Sequence, residues 1–312
     1  MKGQFYSIMI ALFVIPILAL ILFYSQITTP QNIAASIRSD ELQYFSKSIE
    51  EDLSRFLQIN GKRALVAAAN FTVTNGYGLK DAQANLTEAI ENGTLNGNQI
   101  FADQKNLSVW VKNISDIALN SGFDINLTVL SLNVTQNDSF SVLFSATVYI
   151  NISDATAEMG ILKNMSVAEA VSVENIQDPL YPIKTNGTVF RTIKKSPFNK
   201  ISNPSTDLSN LTSDINNKYY HSSTNGASYL DRLEGRAILS PQYQPYGLES
   251  FVYLPEFVSA DLSLSDLDYQ YWTNAHGYLL NNSLQIPAYP WFRINLTASY
   301  DYGINSLLNM TT

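Results

Sequence analysis

Three residues in the C-terminal part of the chain carry the side chains of a hydrolase triad. His221, Ser228 and Asp231 supply a base, a hydroxyl nucleophile and a carboxylate. A serine nucleophile of this kind commonly lies on a sharp strand-to-helix turn, within a Gly-x-Ser-x-Gly pattern. No such pattern surrounds Ser228. The sequence therefore favours loop and helix-start roles for these three residues over catalysis.

Other residue types that perform chemistry are sparse. Asp261, Asp266 and Asp268 could offer oxygens to calcium, but their spacing fits no calcium-loop template. His276 is the only histidine besides His221, which argues against a histidine-based metal cage. We therefore expect no catalytic residues, no cofactor, no metal and no enzyme activity. The paired carboxylates of a glycosidase remain an open alternative, because their separation is set only in three dimensions.

Sequons for N-linked glycosylation are the most frequent motif of the chain. A used sequon must lie on an exposed surface outside the membrane, because the glycan is bulky and hydrophilic. None occurs before Asn70, so the N-terminus is treated differently from the rest. The fifteen predicted glycosylation sites are Asn70, Asn85, Asn92, Asn106, Asn113, Asn126, Asn133, Asn137, Asn151, Asn164, Asn186, Asn210, Asn281, Asn295 and Asn309.

Composition narrows the class of protein further. The chain contains no cysteine, which excludes disulfides, thiolate zinc sites and cysteine nucleophiles. Heavy sequon use without disulfides fits an archaeal cell surface better than a eukaryotic secreted domain. The net charge of −8 disfavours nucleic acid as a partner.

An uncharged apolar stretch covers residues 5–24. As a helix it would measure about 30 Å, the thickness of a bilayer core, and it predicts a transmembrane helix. We expect a cell-membrane protein with one span, which contacts the lipid bilayer through residues 5–24. Its N-terminus would be cytoplasmic and its C-terminal ectodomain extracellular. A cleaved secretory signal is the alternative, although no small-x-small cleavage site follows the stretch before Pro30.

Helical periodicity continues beyond the apolar stretch. Apolar residues from about Ile33 recur at helical spacing and predict a long amphipathic helix that Gly61 interrupts. Two shorter helices are predicted at 79–90 and 106–119. The pattern then alternates over 123–129 and 140–152, which predicts a hairpin, and further strands are expected at 167–174 and 188–194. This order predicts an α+β fold, with a transmembrane helix that continues into the long helix and an antiparallel sheet in the ectodomain.

The C-terminal third differs in character. Residues 196–226 look like a boundary, since proline, serine and asparagine dilute the apolar pattern, although a short helix is expected near 208–215. We therefore divide the chain into an anchor at 1–30, an α+β ectodomain at 31–200 and an aromatic-rich region or second subdomain at 201–312. The aromatic region could form a contact surface for proteins or glycans, or an ordinary core with loops.

Several motifs resemble a family of poorly characterised archaeal single-span cell-surface proteins. They are the opening Met1-Lys-Gly-Gln4, Asn175-Ile-Gln-Asp-Pro-Leu-Tyr181, Arg191-Thr-Ile-Lys-Lys195, Ser228-Tyr-Leu-Asp-Arg-Leu-Glu-Gly235 and Tyr246-Gly-Leu-Glu-Ser-Phe251. The opening also resembles the class III signal of archaeal type IV pilins, which implies cleavage after Gly3 and a mature chain that starts at Gln4. Pilins usually carry an acidic residue at the fifth mature position, whereas this chain has Ile8 there.

These observations together predict a membrane-anchored, N-glycosylated archaeal cell-surface protein with a structural or adhesive role. The resemblance implies a pilin-like or pilus-associated subunit, with protein partners in a surface layer or filament. The alternative is an extracellular hydrolase or binding receptor that acts on envelope polymers.

Overall fold

The computed structural model describes residues 2–101, 105–154, 159–199, 208–256, 264–273, 284–286, 289–294 and 296–304; side chains are described in all of these except 2–13, 25–35, 284–286 and 289. The fold is α+β. Its helices are α1 Lys2–Asn75, α2 Ala82–Asn92, α3 Leu107–Asn120, α4 Leu180–Lys184, α5 Ser209–Asn217, α6 Tyr229–Leu233, α7 Asp268–Thr273 and α8 Leu296–Asp301.

The described strands form three sheets. A small sheet pairs β1 (Thr94–Leu95) with β2 (Asn98–Gln99). A three-stranded sheet has the order β3-β4-β5, and a five-stranded sheet has the order β6-β7-β8-β10-β9. In the larger sheet β8 and β10 are parallel, whereas the other neighbours are antiparallel. The strands are β3 Phe123–Asp138, β4 Ser141–Asp154, β5 Met159–Ser172, β6 Tyr220–Ser223, β7 Gly247–Tyr253, β8 Ser265–Leu267, β9 Leu284–Ile286 and β10 Tyr289–Ile294.

The predicted transmembrane helix is wrong. Within the part of the chain that the structure describes, no helix has an apolar stretch of the length that a bilayer crossing requires. The side chains described within the 5–24 stretch run from Val14 to Tyr24, eleven residues. The remainder of that stretch lies outside the described side chains.

The predicted break at Gly61 is also wrong, because α1 continues through it to Asn75. A glycine inside a helix costs only about 1 kcal/mol relative to alanine, which neighbouring contacts can offset. A Cβ at Gly61 would lie 2.9 Å from Cδ2 of Phe144 and 3.0 Å from Cγ2 of Val171. Gly61 therefore lets α1 approach the β4 and β5 side chains closely instead of ending the helix.

The chain divides into two compact units, and the first comprises residues 1–52, 112–128 and 148–165. Within it, the Phe45 and Phe123 rings stack with centroids 5.3 Å apart. The guanidinium of Arg38 lies over the Phe123 ring and donates from Nε to Oδ2 of the buried Asp154 at 2.7 Å. These contacts fix α1 against the strand residues of the same unit.

The second unit comprises residues 53–111, 129–147 and 166–312. Leu53, Leu57 and Leu65 of α1 are fully buried in it. A separate apolar cluster lies at the C-terminal sheet and is formed by Leu208, Leu211, Phe251, Leu267, Tyr269, Phe292, Ile294, Ala298 and Ile304. The aromatic C-terminal third thus builds its own core.

Besides the break at Gly61, the predicted element positions differ from the structure at two strands. The helices expected at 79–90, 106–119 and 208–215 and the 123–152 hairpin are all present within a few residues. The strand expected at 167–174 begins earlier, at Met159. The strand expected at 188–194 is wrong: this segment forms one isolated bridge, between Thr192 and Gln177. The Arg191 side chain in this segment is buried and donates to the carbonyl of Phe251 at 2.6 Å.

Candidate functional site

Helix α1 exposes large apolar side chains over residues 14–24, which we call the apolar segment. Ile15 and Leu20 are each 65% exposed, and Leu18 is 52% exposed. Successive residues of a helix point about 100° apart, so this run presents apolar groups on all sides rather than on one stripe. An exposed apolar surface of this kind marks an interaction site in a folded protein.

Most described sequons lie at accessible positions. Those at Asn281, Asn295 and Asn309 fall outside the described residues. Asn106 caps the start of α3 by accepting from the backbone N–H of Val109 at 3.0 Å, and it is half-buried. Asn137 and Asn210 are also half-buried. The exposed sequon asparagines are Asn70, Asn92, Asn113, Asn126, Asn133, Asn151, Asn164 and Asn186.

Asn85 differs from the other described sequons. Its side chain is buried in α2, and its Nδ2 donates to the carbonyl of Asp81 at 2.6 Å. Its Oδ1 is also buried and accepts no hydrogen bond. A glycan on Nδ2 would have to pass through packed protein, so this site does not admit the modification in the folded chain.

The residues that resemble a hydrolase triad do not assemble into one. Ser228 caps α6, where its Oγ donates to Oδ2 of Asp231 at 2.7 Å in a capping box. His221 instead pairs through Nε2 with Oδ2 of Asp214 at 2.9 Å. A triad requires the histidine to lie between the hydroxyl and the carboxylate. The hydroxyl and the imidazole have separate acidic partners here. Ser228 starts a helix as expected, whereas the expected loop position of His221 is wrong, because His221 lies in β6 and pairs with Glu249 of β7.

The acidic residues considered as calcium ligands also have different environments. Asp261 lies outside the described residues, and Asp268 is buried with its Oδ2 bound to Arg232 Nη2 at 2.8 Å. Asp266 is buried, and burial raises its pKa to about 8. A carboxyl that is largely protonated at neutral pH is a poor metal ligand. Among the residues described, no cluster of histidine and acidic side chains could hold a metal ion.

A fully buried arginine organises the core beneath the C-terminal sheet. Arg232 Nη1 donates to Oδ2 of Asp178 at 2.6 Å, and its Nη2 also contacts the carbonyl of Leu248 at 2.7 Å. Burial lowers the pKa of Arg232, but the charges of Asp178 and Asp268 outweigh it and leave the pKa raised. One cation therefore forms ion pairs with two buried carboxylates. This network holds α6, β7 and α7 together and is structural.

A cleft beside β6 and β7 brings several acid–base groups together. It has a volume of about 380 Å³, and His221, Ser223, Glu249 and Tyr302 line it. Ser223 Oγ accepts from the backbone N–H of Gly226 at 2.9 Å and donates to Oε2 of Glu249 at 2.6 Å. The Tyr302 hydroxyl donates to the other oxygen of Glu249.

Glu249 is the carboxyl group of that cleft whose pKa is shifted towards neutrality. Burial raises its pKa to about 7, while the hydrogen bonds from Ser223 and Tyr302 act in the opposite direction. A carboxyl group whose pKa is near 7 can exchange protons at physiological pH, as general acids and bases must. Sequence reasoning missed Glu249, because the Tyr246–Phe251 motif that contains it carries no known chemistry and only the structure shows that Glu249 is buried.

A second cleft lies at the edge of the C-terminal core and has a volume of about 560 Å³. Tyr253 and Ser265 are register partners on β7 and β8, and Trp291 comes from β10. Both aromatic residues belong to the region for which the sequence left open a contact surface or an ordinary core with loops. The remaining lining residues are Thr212, Ile215, Asn216, Lys218 and Glu256.

Comparisons with known proteins identify no relatives for this arrangement. No protein-family model matches the chain, and neither the curated proteins nor the solved structures contain a significant match.

Proposed function

We propose that this protein is an N-glycosylated structural subunit of an archaeal cell surface that assembles with copies of itself through the apolar segment of α1. The observation that carries the proposal is the exposure of that segment on every side of the helix. Covering a large aliphatic side chain is worth about 1.5–3 kcal/mol. Several such side chains per subunit could therefore drive association.

Neighbouring helices are the partners best suited to bury an apolar surface that surrounds a helix. An apolar stripe on one side would be satisfied by one partner, whereas an apolar surface around the whole helix needs several. Equivalent helices from other subunits supply identical apolar surfaces, and repeated head-to-tail contacts between copies generate open helical filaments. The resemblance of the Met1-Lys-Gly-Gln4 opening to a pilin signal supports the same architecture.

The glycan positions support an extracellular location. The exposed sequons begin at Asn70 and lie away from the apolar segment in sequence, so modification would leave that segment bare. Glycans at Asn126, Asn133 and Asn151 would cover exposed positions of β3 and β4. A sugar-coated sheet and a bare apolar helix are compatible with a subunit whose helix is packed and whose remainder faces the medium.

The proposal is tested on material sheared from the surface of native cells. We expect the protein in the sedimentable filament fraction, with Gln4 as its first residue by mass spectrometry and with glycans on the exposed sequons. Recovery only as a monomer with Met1 intact would contradict a pilin-like subunit.

An extracellular hydrolase is the second candidate, and the His221 and Glu249 cleft favours it. His221 is oriented by Asp214, and Glu249 titrates near neutrality. Esterase, peptidase and glycosidase screens on the pure protein separate the two candidates. We expect no turnover; activity that Glu249→Gln or His221→Asn abolishes, while the variant stays folded, would establish the hydrolase instead.

A further inference from the structure

The cleft that Tyr253, Ser265 and Trp291 line, which we call the aromatic cleft, has the composition of a carbohydrate site. Trp291 and Tyr253 are partly exposed aromatic side chains at its wall. Such rings offer a flat apolar surface together with a polar group. They suit a ligand that has one apolar face and a polar, hydrated edge. The C–H face and hydroxyl rim of a sugar ring have that character.

The polar groups around the aromatic cleft are held in place. Glu256 Oε2 accepts from Nη2 of the buried Arg191 at 3.0 Å, and its Oε1 lies 3.2 Å from Nζ of Lys218. Lys218 itself ends α5 in a left-handed conformation with a φ of 58°. A carboxylate fixed between two cations keeps a constant position, and charge-assisted bonds to fixed carboxylates are stronger than those between neutral groups. Glu256 can therefore accept from a ligand hydroxyl without prior rearrangement.

Ser265 provides an independent indication of a ligand. It lines the aromatic cleft, is completely buried, and its Oγ makes no hydrogen bond within the chain that the structure describes. Buried hydroxyls nearly always have partners, because an unpaired one is costly. A hydroxyl left unpaired on the wall of a cleft is poised to bond a polar ligand there.

We propose that the aromatic cleft binds a saccharide, with Trp291 and Tyr253 against the sugar ring and Ser265 and Glu256 bonded to its hydroxyls. Its volume of about 560 Å³ lies within the ~300–1,000 Å³ typical of small-molecule sites. This binding activity goes beyond assembly through α1 and does not depend on it, because every lining residue belongs to the second unit. It would give a surface subunit a contact with glycans.

The test uses the full-length protein with maltotriose, chitotriose and tri-galacturonate, which sample neutral, acetamido and acidic sugars. Saturation-transfer NMR should detect at least one of the three, and calorimetry then gives its affinity. Trp291→Ala should weaken that affinity by about tenfold or more, as truncation of an aromatic anchor commonly does. Tyr300→Ala is the matched control, since Tyr300 is 58% exposed outside the cleft, and it should leave the affinity unchanged.

Ser265→Ala separates ligand binding from a structural role. Removing an unpaired buried hydroxyl should not lower the melting temperature, whereas the affinity should fall several-fold. Tyr253→Phe, which keeps the ring, should retain binding. No transfer from any of the three sugars, or equal affinity in Trp291→Ala and the wild type while both are folded, would overturn the proposal. Loss of binding in Tyr300→Ala would overturn it as well.

Discussion

Burial raises the pKa of Glu249, so the free energy of unfolding should depend on pH. Its pKa rises from 4.5 to about 7 in the folded chain. Between these values the folded state holds a proton that the unfolded state has lost, so the free energy of unfolding should decrease as pH rises from 4.5 to 7. The full effect would be roughly 3 kcal/mol at most.

The prediction for Glu249→Gln follows from that linkage. The variant cannot lose this proton, so its stability relative to wild type should improve steadily between pH 4.5 and 7 and stay constant above. Urea unfolding at closely spaced pH values measures the difference. Parallel pH profiles for the two proteins would show that the carboxyl titrates normally.

Arg232 offers a second residue-scale test. Arg232→Met leaves Asp178 and Asp268 buried without their cation, and breaking a buried pair of this kind costs about 3–5 kcal/mol. Arg236→Met is the matched control, because the Arg236 side chain is 53% exposed and its pair with Glu234 should contribute no more than about 1 kcal/mol. Equal losses in chemical denaturation would contradict a central role for the Arg232 network.

At the scale of elements, Gly61 sets how closely α1 packs. Gly61→Val would place methyl groups where Phe144 and Val171 lie, and overpacking of this kind costs about 1–3 kcal/mol. Gln58→Val, at an exposed position of the same helix, should change stability by no more than about 0.5 kcal/mol. Thermal unfolding of both variants makes the comparison. A Gly61→Val variant as stable as wild type would mean that the helix and strands can separate without cost.

The spacing of apolar residues predicted those elements that bury one face and leave the other exposed. The hairpin sequence alternates over 123–129 and 140–152, and α2 and α3 carry single apolar stripes, so periodicity placed all of them. The five-stranded sheet was not predicted, because β6 and β8 are only four and three residues long and β7 is buried almost throughout. Strands without alternation have no periodic signal.

The candidate sites were harder to predict for the same reason. Trp291 and Tyr253 stood out by type, but the sequence left open whether the aromatic C-terminal region forms a contact surface or an ordinary core with loops. Ser265 and Glu249 belong to no motif with known chemistry, and only the pairing of distant strands brings them to their clefts. The residues His221, Ser228 and Asp231 show the opposite case. They are close in sequence and have the side chains of a triad, but in the structure His221 pairs with Asp214 while Ser228 pairs with Asp231.

For the whole molecule, glycosylation should follow exposure and not the sequon alone. We expect native protein to exceed 34.7 kDa by several kilodaltons, with glycopeptides at exposed sites such as Asn126 and Asn151. Asn85 should remain unmodified because it is buried. Glycoproteomic mass spectrometry measures the occupancy of each site. A glycan at Asn85, or an unmodified chain, would contradict the arrangement.

Assembly through the apolar segment is the central claim, and the absence of cysteine allows a direct test. Leu20→Cys introduces a single thiol into the apolar segment, where Leu20 is 65% exposed. Tyr77→Cys places a thiol just beyond the end of α1, at a residue that is 56% exposed, as the matched control. Each variant is treated with a bis-maleimide cross-linker on intact native cells and then separated under denaturing conditions. Packing between copies predicts covalent dimers for Leu20→Cys, the largest species that one thiol per chain allows, and monomers for Tyr77→Cys, whereas monomers for both would contradict it.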